Sequence, residues 1–238
     1  MRCTDGVVLA VEKLRVSRLL VKGSDRRCFP IDKHVGLAVT GLAGDARSIV
    51  LYAQRIASNY RKNWGEPIAP AMLAEQLADV MYAYTTSGGY RPFGAQVLVA
   101  GFDAEKASGS AEAGWELYMV EVDGTFHRYF GTAIGKGART CKTEVEKARL
   151  WTKTSAEVLP ELSRMLHTVH DDSKEKPMEI EMAWICVGSN QDSPEFGIVP
   201  GASATTAIAE GKRLAEAAGG EGEGDAAMEG EEEEDIDG

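Results

Sequence analysis

The stretch from Gly88 to Phe102 constrains the fold of this 238-residue chain more than any other. Its sequence is Gly-Gly-Tyr-Arg-Pro-Phe-Gly-Ala-Gln-Val-Leu-Val-Ala-Gly-Phe, so a Gly-Gly turn and a proline precede an almost entirely apolar run. Glycine and proline mark the ends of elements, and a short continuous apolar run is typical of a strand buried on both faces. The stretch therefore predicts a central strand that is entered at a fixed angle after a helix.

The net charge of −11 is concentrated at the carboxyl end. Ten of the 37 acidic residues follow Gly220 and none of the 26 basic residues does, so the body is nearly neutral. A neutral body counts against nucleic acid as a main ligand. No apolar run reaches the roughly 18 residues of a membrane span, nothing resembles a secretory signal, and the scattered cysteines have no Cys-x-x-Cys pair. We predict reduced thiols in a cytoplasmic or nuclear protein.

Hydrophobic periodicity predicts strands, two helices, strands, two helices and strands, in that order. The predicted strands are residues 7–11, 17–22, 35–39, 95–102, 115–122, 126–132, 180–187 and 197–199. The predicted helices start near Asp45, after Pro70, after Gly137 and at Ser155. The third is predicted to end at about Trp151, and Pro160 lies in the predicted first turn of the last one. This order fits a single α+β domain, a four-layer αββα sandwich with a helix pair on each outer face.

Three motifs in the same order closely resemble the α-type subunits of the 20S proteasome. They are Asp5-Gly-Val-Val-Leu-Ala-Val-Glu-Lys13, Gly36-Leu-Ala-Val-Thr-Gly-Leu-Ala-Gly-Asp-Ala-Arg47 and the stretch at 88–102. The resemblance extends from about Cys3 to Pro200 and implies the αββα sandwich of the N-terminal-nucleophile hydrolases. We expect a family domain at 1–200, a helical extension at 201–218 and a disordered acidic tail at 219–238, since Gly, Glu and Asp bury too little apolar surface to offset ordering entropy.

The sequence contains no constellation that we interpret as catalytic, so we expect no enzyme activity. Catalytic relatives of this fold use an amino-terminal threonine whose own amino group helps to activate it. Thr4 follows three other residues and, by the resemblance, lies in the first hairpin, well past the nucleophile position. Glu12 stands where the catalytic relatives have an aspartate, and we interpret it as a carboxylate at the end of a strand.

Other candidate chemistry is equally weak, and we expect neither a metal nor a cofactor. The four histidines are His34, His127, His167 and His170. His167 and His170 lie three apart on a predicted helix without an acidic partner for a metal triad, which favours a solvated helix face. Gly135-Lys136-Gly137 lacks the third glycine of a phosphate loop and is interpreted as the turn that starts the third helix. Cys141 is interpreted as a buried or helix-face thiol.

The resemblance implies a non-catalytic subunit of a heptameric outer ring that supports ATP- and ubiquitin-dependent protein degradation. Family members scaffold the particle, gate substrate entry and dock activators, so the implied partners are other α subunits, β subunits and the regulatory particle or other activators. The acidic tail resembles that of the subunit at the seventh ring position. The family's gate segment and first helix would precede Arg2 and are not in this sequence, which is then expected to contribute nothing to the gate.

The resemblance also assigns an activator pocket to Arg27, Gly41 and Leu42. Family activators insert carboxyl-terminal tails between neighbouring α subunits, where a cation meets the terminal carboxylate. Alignment on Ile31-Asp32 places Arg27 where simple relatives have lysine, with Gly41 and Leu42 on the opposite wall. Arginine can pair a carboxylate bidentately, in a geometry that an ammonium does not share. An ordinary surface cation beside Arg26 is an equally weighted alternative.

Two other functions stay open at this point. A self-contained threonine peptidase of the two-ring bacterial type would need a free amino-terminal threonine, against which Met1 argues. An acidic-tailed chaperone, or binder of basic proteins, would use the sandwich as a platform and would lose its affinity together with the tail.

Overall fold

Two antiparallel sheets form the centre of the protein, in a computed structural model that describes residues 1–14, 19–21, 23–108, 114–170, 178–187 and 193–225. Within these residues, the first sheet has the strand order β2 (Cys28–Asp32), β3 (Val35–Gly41), β4 (Ala95–Phe102), β5 (Trp115–Val120) and β6 (Phe126–Arg128). The second sheet has the order β1 (Gly6–Leu14), β7 (Met178–Val187) and β8 (Pro194–Ile198). The helices are α1 (Ala43–Trp64), α2 (Pro70–Thr86), α3 (Ala104–Ala107), α4 (Ala138–Ala148), α5 (Ser155–Val169) and α6 (Gly201–Asp225).

Strand β4 is the central strand that the glycine and proline punctuation predicts. It pairs antiparallel with β3 on one side and with β5 on the other. Because successive side chains of a strand point to opposite faces, the strand divides its apolar residues between two cores. Val97 and Val99 pack with residues of α1 and α2, whereas Leu98 and Ala100 pack with residues of the second sheet. Both faces of β4 are therefore buried.

The same alternation in β1 produces the other half of the sandwich. Val7 and Leu9 pack against the first sheet, and Val8 packs on the opposite face with Met165 of α5 and Ala207 of α6. Helices α1 and α2 thus cover the first sheet, and α4, α5 and α6 cover the second. The order of layers is helix, sheet, sheet, helix, so the four-layer α+β sandwich expected from the sequence is confirmed.

Helix α5 shows how its local sequence sets its start. Thr154 and Glu157 form a capping box, in which the Glu157 carboxylate accepts from the Thr154 backbone N–H at 2.9 Å. The helix begins at Ser155 as predicted, but Pro160 lies in the second turn rather than the first. That part of the prediction is wrong, and the missing N–H removes a hydrogen bond to the carbonyl of Ala156.

The predicted strand at residues 17–22, between β1 and β2, is wrong for the residues that the structure describes. Leu19, Leu20 and Val21 were expected in a strand at 17–22, but none of the three is in a strand and all are exposed, with a turn at Leu19 and a bend at Leu20. Residues 17, 18 and 22 lie outside the described ranges. The strand that pairs with β3 is β2, which the sequence did not predict. Pro30 obscures its pattern, since proline cannot donate to a strand ladder and is tolerated here because β2 is an edge strand.

Several element ends also differ from their predicted positions. Strand β6 ends at Arg128 instead of residue 132, and α4 ends at Ala148, where Arg149 takes a left-handed conformation (φ 45°) before a short 3₁₀ turn at Leu150–Thr152. Helix α6 continues to Asp225, past the predicted end at 218, and residues 226–238 of the expected tail lie outside the described part. None of the described helices is long and apolar enough to cross a bilayer.

Candidate functional site

Thr4 lies in the bend that leads into β1, between Arg2 and Val7, which form an isolated antiparallel bridge. Its backbone N–H and its hydroxyl both donate to the carbonyl of Lys153, at 3.1 and 3.3 Å. The nitrogen of Thr4 is therefore an amide engaged in a hydrogen bond, whereas a threonine nucleophile of this fold needs a free amino group as its base. Thr4 lacks that means of activation.

A cleft of about 790 Å³ opens beside β1, lined by apolar side chains of β1, α4 and α5 and by the polar side chains of Glu12, Cys141 and His170. The imidazole of His170 lies 2.8 Å from the carboxylate of Glu12, which accepts from Nδ1. The prediction of a solvated histidine face is wrong, because the His170 side chain is only 11 % exposed and His167 is half-buried. Helix α5 ends at Val169, so its C-cap brings His170 to the strand carboxylate.

The thiol of Cys141 also lines this cleft, and its surroundings keep it protonated. Burial, together with the nearby carboxylates of Glu12 and Glu144, raises the pKa of the Cys141 thiol. Because the thiolate is the nucleophilic form, this thiol is inert near neutral pH, as the prediction of a buried thiol requires. In the ranges that the structure describes, no group of His, Cys, Asp and Glu is arranged to hold a metal ion.

The segment Gly135-Lys136-Gly137 forms a turn before α4, as predicted. Gly135 adopts a positive φ of 96°, and its N–H donates to the side-chain oxygen of Gln96 at 3.3 Å. Gly137 is the N-cap of α4, and a Cβ at this position would collide with Val169 of α5. Close packing of α4 on α5 therefore explains the glycine without a phosphate ligand.

Arg27, Gly41 and Leu42, which the resemblance assigns to one pocket, lie together at one end of the first sheet. The guanidinium of Arg27 donates through Nη1 to the carbonyl of Gly41 at 3.0 Å. Gly41 ends β3 with a φ of 94°, and a Cβ there would collide with the carbonyl of Gly94. Leu42 follows as the N-cap of α1, with its side chain 57 % exposed and its N–H donating to the same Gly94 carbonyl at 2.9 Å.

An ion pair between Asp45 and Arg91 supports the Leu42 wall. Arg91 donates from Nη1 and Nη2 to the two carboxylate oxygens of Asp45, at 2.6 and 2.8 Å, and the N–H of Gly94 also donates to Asp45 at 2.8 Å. The hydrogen bonds from Arg91 and then from Gly94 lower the pKa of Asp45 to about 2. This pair joins the first turn of α1, next to Leu42, to the segment that enters β4.

Sequence reasoning did not identify Asp45 or Arg91 as parts of this site. Both lie in motifs that were recognised for other reasons, Asp45 as a helix-start signal and Arg91 beside the proline before β4. The sequence offers one signal for their contact: the two residues have opposite charges, and each lies in one of the recognised motifs.

These features define a four-layer α+β sandwich. Among the described residues, its cleft contains no activated nucleophile, and Arg27 lies at one end of the first sheet. Comparison with known proteins gives the same class. The family model of the proteasome subunit matches residues 1–185. The chain therefore belongs to the proteasome subunit family.

Three individual relatives are subunits of one type. The chain is 41 % identical over 191 residues to the proteasome subunit alpha type-3 of Oryza sativa subsp. japonica, and this match covers 80 % of the chain and 74 % of the relative. It is 42 % identical over 186 residues to the alpha type-3 subunit of Acanthamoeba castellanii, covering 78 % and 71 %. The Spinacia oleracea alpha type-3 subunit is 41 % identical over 192 residues, covering 81 % and 74 %. These relatives support a non-catalytic, structural subunit of the 20S core.

Proposed function

We propose that this subunit lies at the seventh position of the outer α ring and docks activators there through Arg27, Gly41 and Leu42. The hydrogen bond from Arg27 to the Gly41 carbonyl carries the docking part of this proposal, because it holds a cation close to Leu42, which has an exposed apolar side chain. A guanidinium has five N–H donors, of which this bond uses one. The others can meet the terminal carboxylate of an activator tail, in a charge-assisted hydrogen bond.

Ring assembly with other α and β subunits follows from the same proposal. Helices α1 and α2 expose large apolar side chains, among them Leu51, Trp64 and Tyr82. Exposed aromatic and apolar groups of this size are typical of protein interfaces, where they are the usual anchors. A ring of distinct subunits selects neighbours through complementary sides, so we expect a heteromeric assembly in the cytoplasm and nucleus. The particle as a whole would then carry out ATP- and ubiquitin-dependent degradation and gate substrate entry, with this chain as part of its scaffold.

The two rival functions have less support. A threonine peptidase would need an activated nucleophile, and Thr4 is an internal, hydrogen-bonded residue. A binder of basic proteins would depend on the acidic tail, whereas the similarity to proteasome subunits extends over residues 1–185 and favours a ring subunit.

Replacement of Arg27 tests the docking proposal. In assembled 20S particles that contain Arg27→Ala, a peptide with an activator subunit's carboxyl-terminal sequence should bind about tenfold more weakly, because a hydrogen bond between charged groups is lost. The same peptide with an amidated carboxyl terminus should be unaffected. Arg26→Ala is the matched control, since Arg26 is the neighbouring exposed cation. Equal binding of the free-acid peptide to the Arg27→Ala particle and the parent particle would contradict the proposal.

A further inference from the structure

A buried carboxylate lies directly behind Arg27 and belongs to the other sheet. Glu181 is in β7 of the second sheet, and its side chain is 8 % exposed. Its two oxygens accept from successive backbone N–H groups, Oε2 from Arg27 at 3.2 Å and Oε1 from Cys28 at 3.1 Å. Because Cys28 begins β2 of the first sheet, this carboxylate bridges the two sheets at the base of the pocket.

Lys13 supplies the positive charge that allows this carboxylate to be buried. Its ammonium lies 3.4 Å from Glu181 Oε2, 3.0 Å from Asp25 and 3.5 Å from Glu179, and its side chain is 6 % exposed. Burial alone would lower the pKa of Lys13, but the hydrogen bond to Asp25 and the charges of Glu181 and Glu179 outweigh it and raise that pKa. Since a buried charge without a partner is strongly destabilising, the contact with Lys13 stabilises the Glu181 side chain in this buried position.

The backbone of Arg27 is consequently held from both sides. Its carbonyl accepts from the N–H of Val39 in β3 at 3.0 Å, and its own N–H donates to Glu181. With the main chain fixed in this way, the guanidinium reaches the Gly41 carbonyl across the end of β3. Loss of the Glu181 acceptor would leave the N–H groups of Arg27 and Cys28 without this bond and would release the start of β2 from the second sheet.

We propose that Glu181, with Lys13 as its counter-ion, is the positioning residue of the Arg27 pocket and sets the selectivity of that pocket for a free carboxylate. Glu181 does not itself reach the ligand and acts through the backbone of Arg27. The inference rests on the proposed docking function, but its structural half, the fixing of Arg27 and Cys28 by Glu181, can be measured without any ligand.

Glu181→Gln in the assembled particle tests both halves. The substitution preserves shape but turns one acceptor oxygen into an NH₂ group, which must face one of the two backbone donors. The measured quantity is the affinity ratio between an activator-tail peptide with a free carboxylate and the same peptide with a carboxyl-terminal amide. We expect Glu181→Gln to lower this ratio about three- to tenfold, which corresponds to the loss of about one hydrogen bond. In an Arg27→Ala background it should have no further effect.

Glu179→Gln is the matched control, because Glu179 lies two residues from Glu181 in the same strand and also contacts Lys13. The backbone N–H groups of Arg27 and Cys28, however, donate to Glu181. Glu179→Gln should therefore leave the ratio unchanged. A merely structural role of Glu181 would weaken both peptides equally, and an unchanged ratio in Glu181→Gln would overturn the proposal. If Glu181→Gln does not enter the particle, Glu181→Asp gives the same comparison, since it keeps the charge but withdraws the oxygens.

Amide hydrogen exchange separates failure of this inference from failure of the docking function. Exchange at Arg27 and Cys28 should be faster in Glu181→Gln than in Glu179→Gln, whatever binds in the pocket. Equal exchange in the two variants would overturn the positioning role. A different result would refute docking at this pocket: faster exchange in Glu181→Gln, but an unchanged affinity ratio of free-acid to amidated peptide in Arg27→Ala. That result would also refute the selectivity assigned to Glu181.

Discussion

The cleft beside β1 and the Arg27 pocket both include Gly41, but their polar side chains make different kinds of contact. In the cleft, Glu12 and His170 contact each other, and Cys141 is kept as a thiol. In the pocket, the carboxylates of Glu181 and Asp45 accept from backbone N–H groups and so position a cation and a wall. The polar groups of the cleft contact each other, whereas the proposed pocket places the Arg27 guanidinium close to the exposed side chain of Leu42.

This difference predicts that pocket substitutions have large effects and cleft substitutions have small ones. The largest is expected for Gly41→Val, because a β-branched residue is strongly disfavoured at a φ of 94° and its Cβ would collide with the Gly94 carbonyl. We expect a loss of about 4 kcal/mol in the free energy of unfolding of the full-length chain, measured by urea denaturation.

Gly44→Ala is the control for this prediction. Gly44 lies in the first turn of α1 with nothing within 4 Å of an added Cβ. Alanine is the better helix former, so this variant should be as stable as the parent or up to about 1 kcal/mol more stable. Similar denaturation midpoints for the two variants would contradict the view that the Gly41 wall is sterically fixed.

The layers of the fold could be predicted from sequence because local patterns determine them. Strand β4 is marked by its apolar run and helix α1 by its period, and both contacts and burial agree with those patterns. Strand β2 could not be found in the same way, since Pro30 interrupts a short strand that, among the residues described, pairs only with β3. Leu19 to Val21 have strand-like composition, yet they lie exposed in a turn.

Of the residues in the candidate site, the resemblance named Arg27, Gly41 and Leu42, and it did not name Glu181. Arg27 and Gly41 were named together from the resemblance, and the structure places them in hydrogen-bond contact. Glu181 is 154 residues from Arg27 in sequence, and His170 is 158 residues from Glu12. The first contact depends on the packing of one sheet on the other and the second on the packing of α5 on β1, and neither periodicity nor spacing encodes such packing.

An intermediate effect is expected for Asp45→Asn, which weakens the ion pair behind Leu42. Because Arg91 is largely exposed, we expect a cost of about 1 kcal/mol in unfolding free energy at pH 7. The pKa of Asp45 is lowered from 3.8 to about 2, so its contribution is present above about pH 4 and is lost as the pH falls through about 2. The difference between parent and variant should therefore shrink over that window in thermal unfolding experiments.

Asp79→Asn serves as the control for the pH dependence, since Asp79 is an exposed carboxylate on α2. It should leave the unfolding temperature close to that of the parent at each pH. A difference between parent and Asp45→Asn that stays constant from pH 7 down to pH 2 would argue against the Arg91 pair as the source of the stabilisation.

The smallest effect is expected in the cleft, for Cys141→Ala. Burial and the carboxylates of Glu12 and Glu144 raise the pKa of this thiol, so it contributes no nucleophile near neutral pH. Particles that contain the variant should hydrolyse peptide substrates at the parent rate. In the parent at pH 7, Cys141 should react with a thiol-directed alkylating agent far more slowly than in the denatured chain, as peptide mass mapping can measure. Rapid alkylation in the native particle, or a loss of hydrolysis in Cys141→Ala, would mean that the cleft has a chemical role and that the contrast with the pocket is wrong.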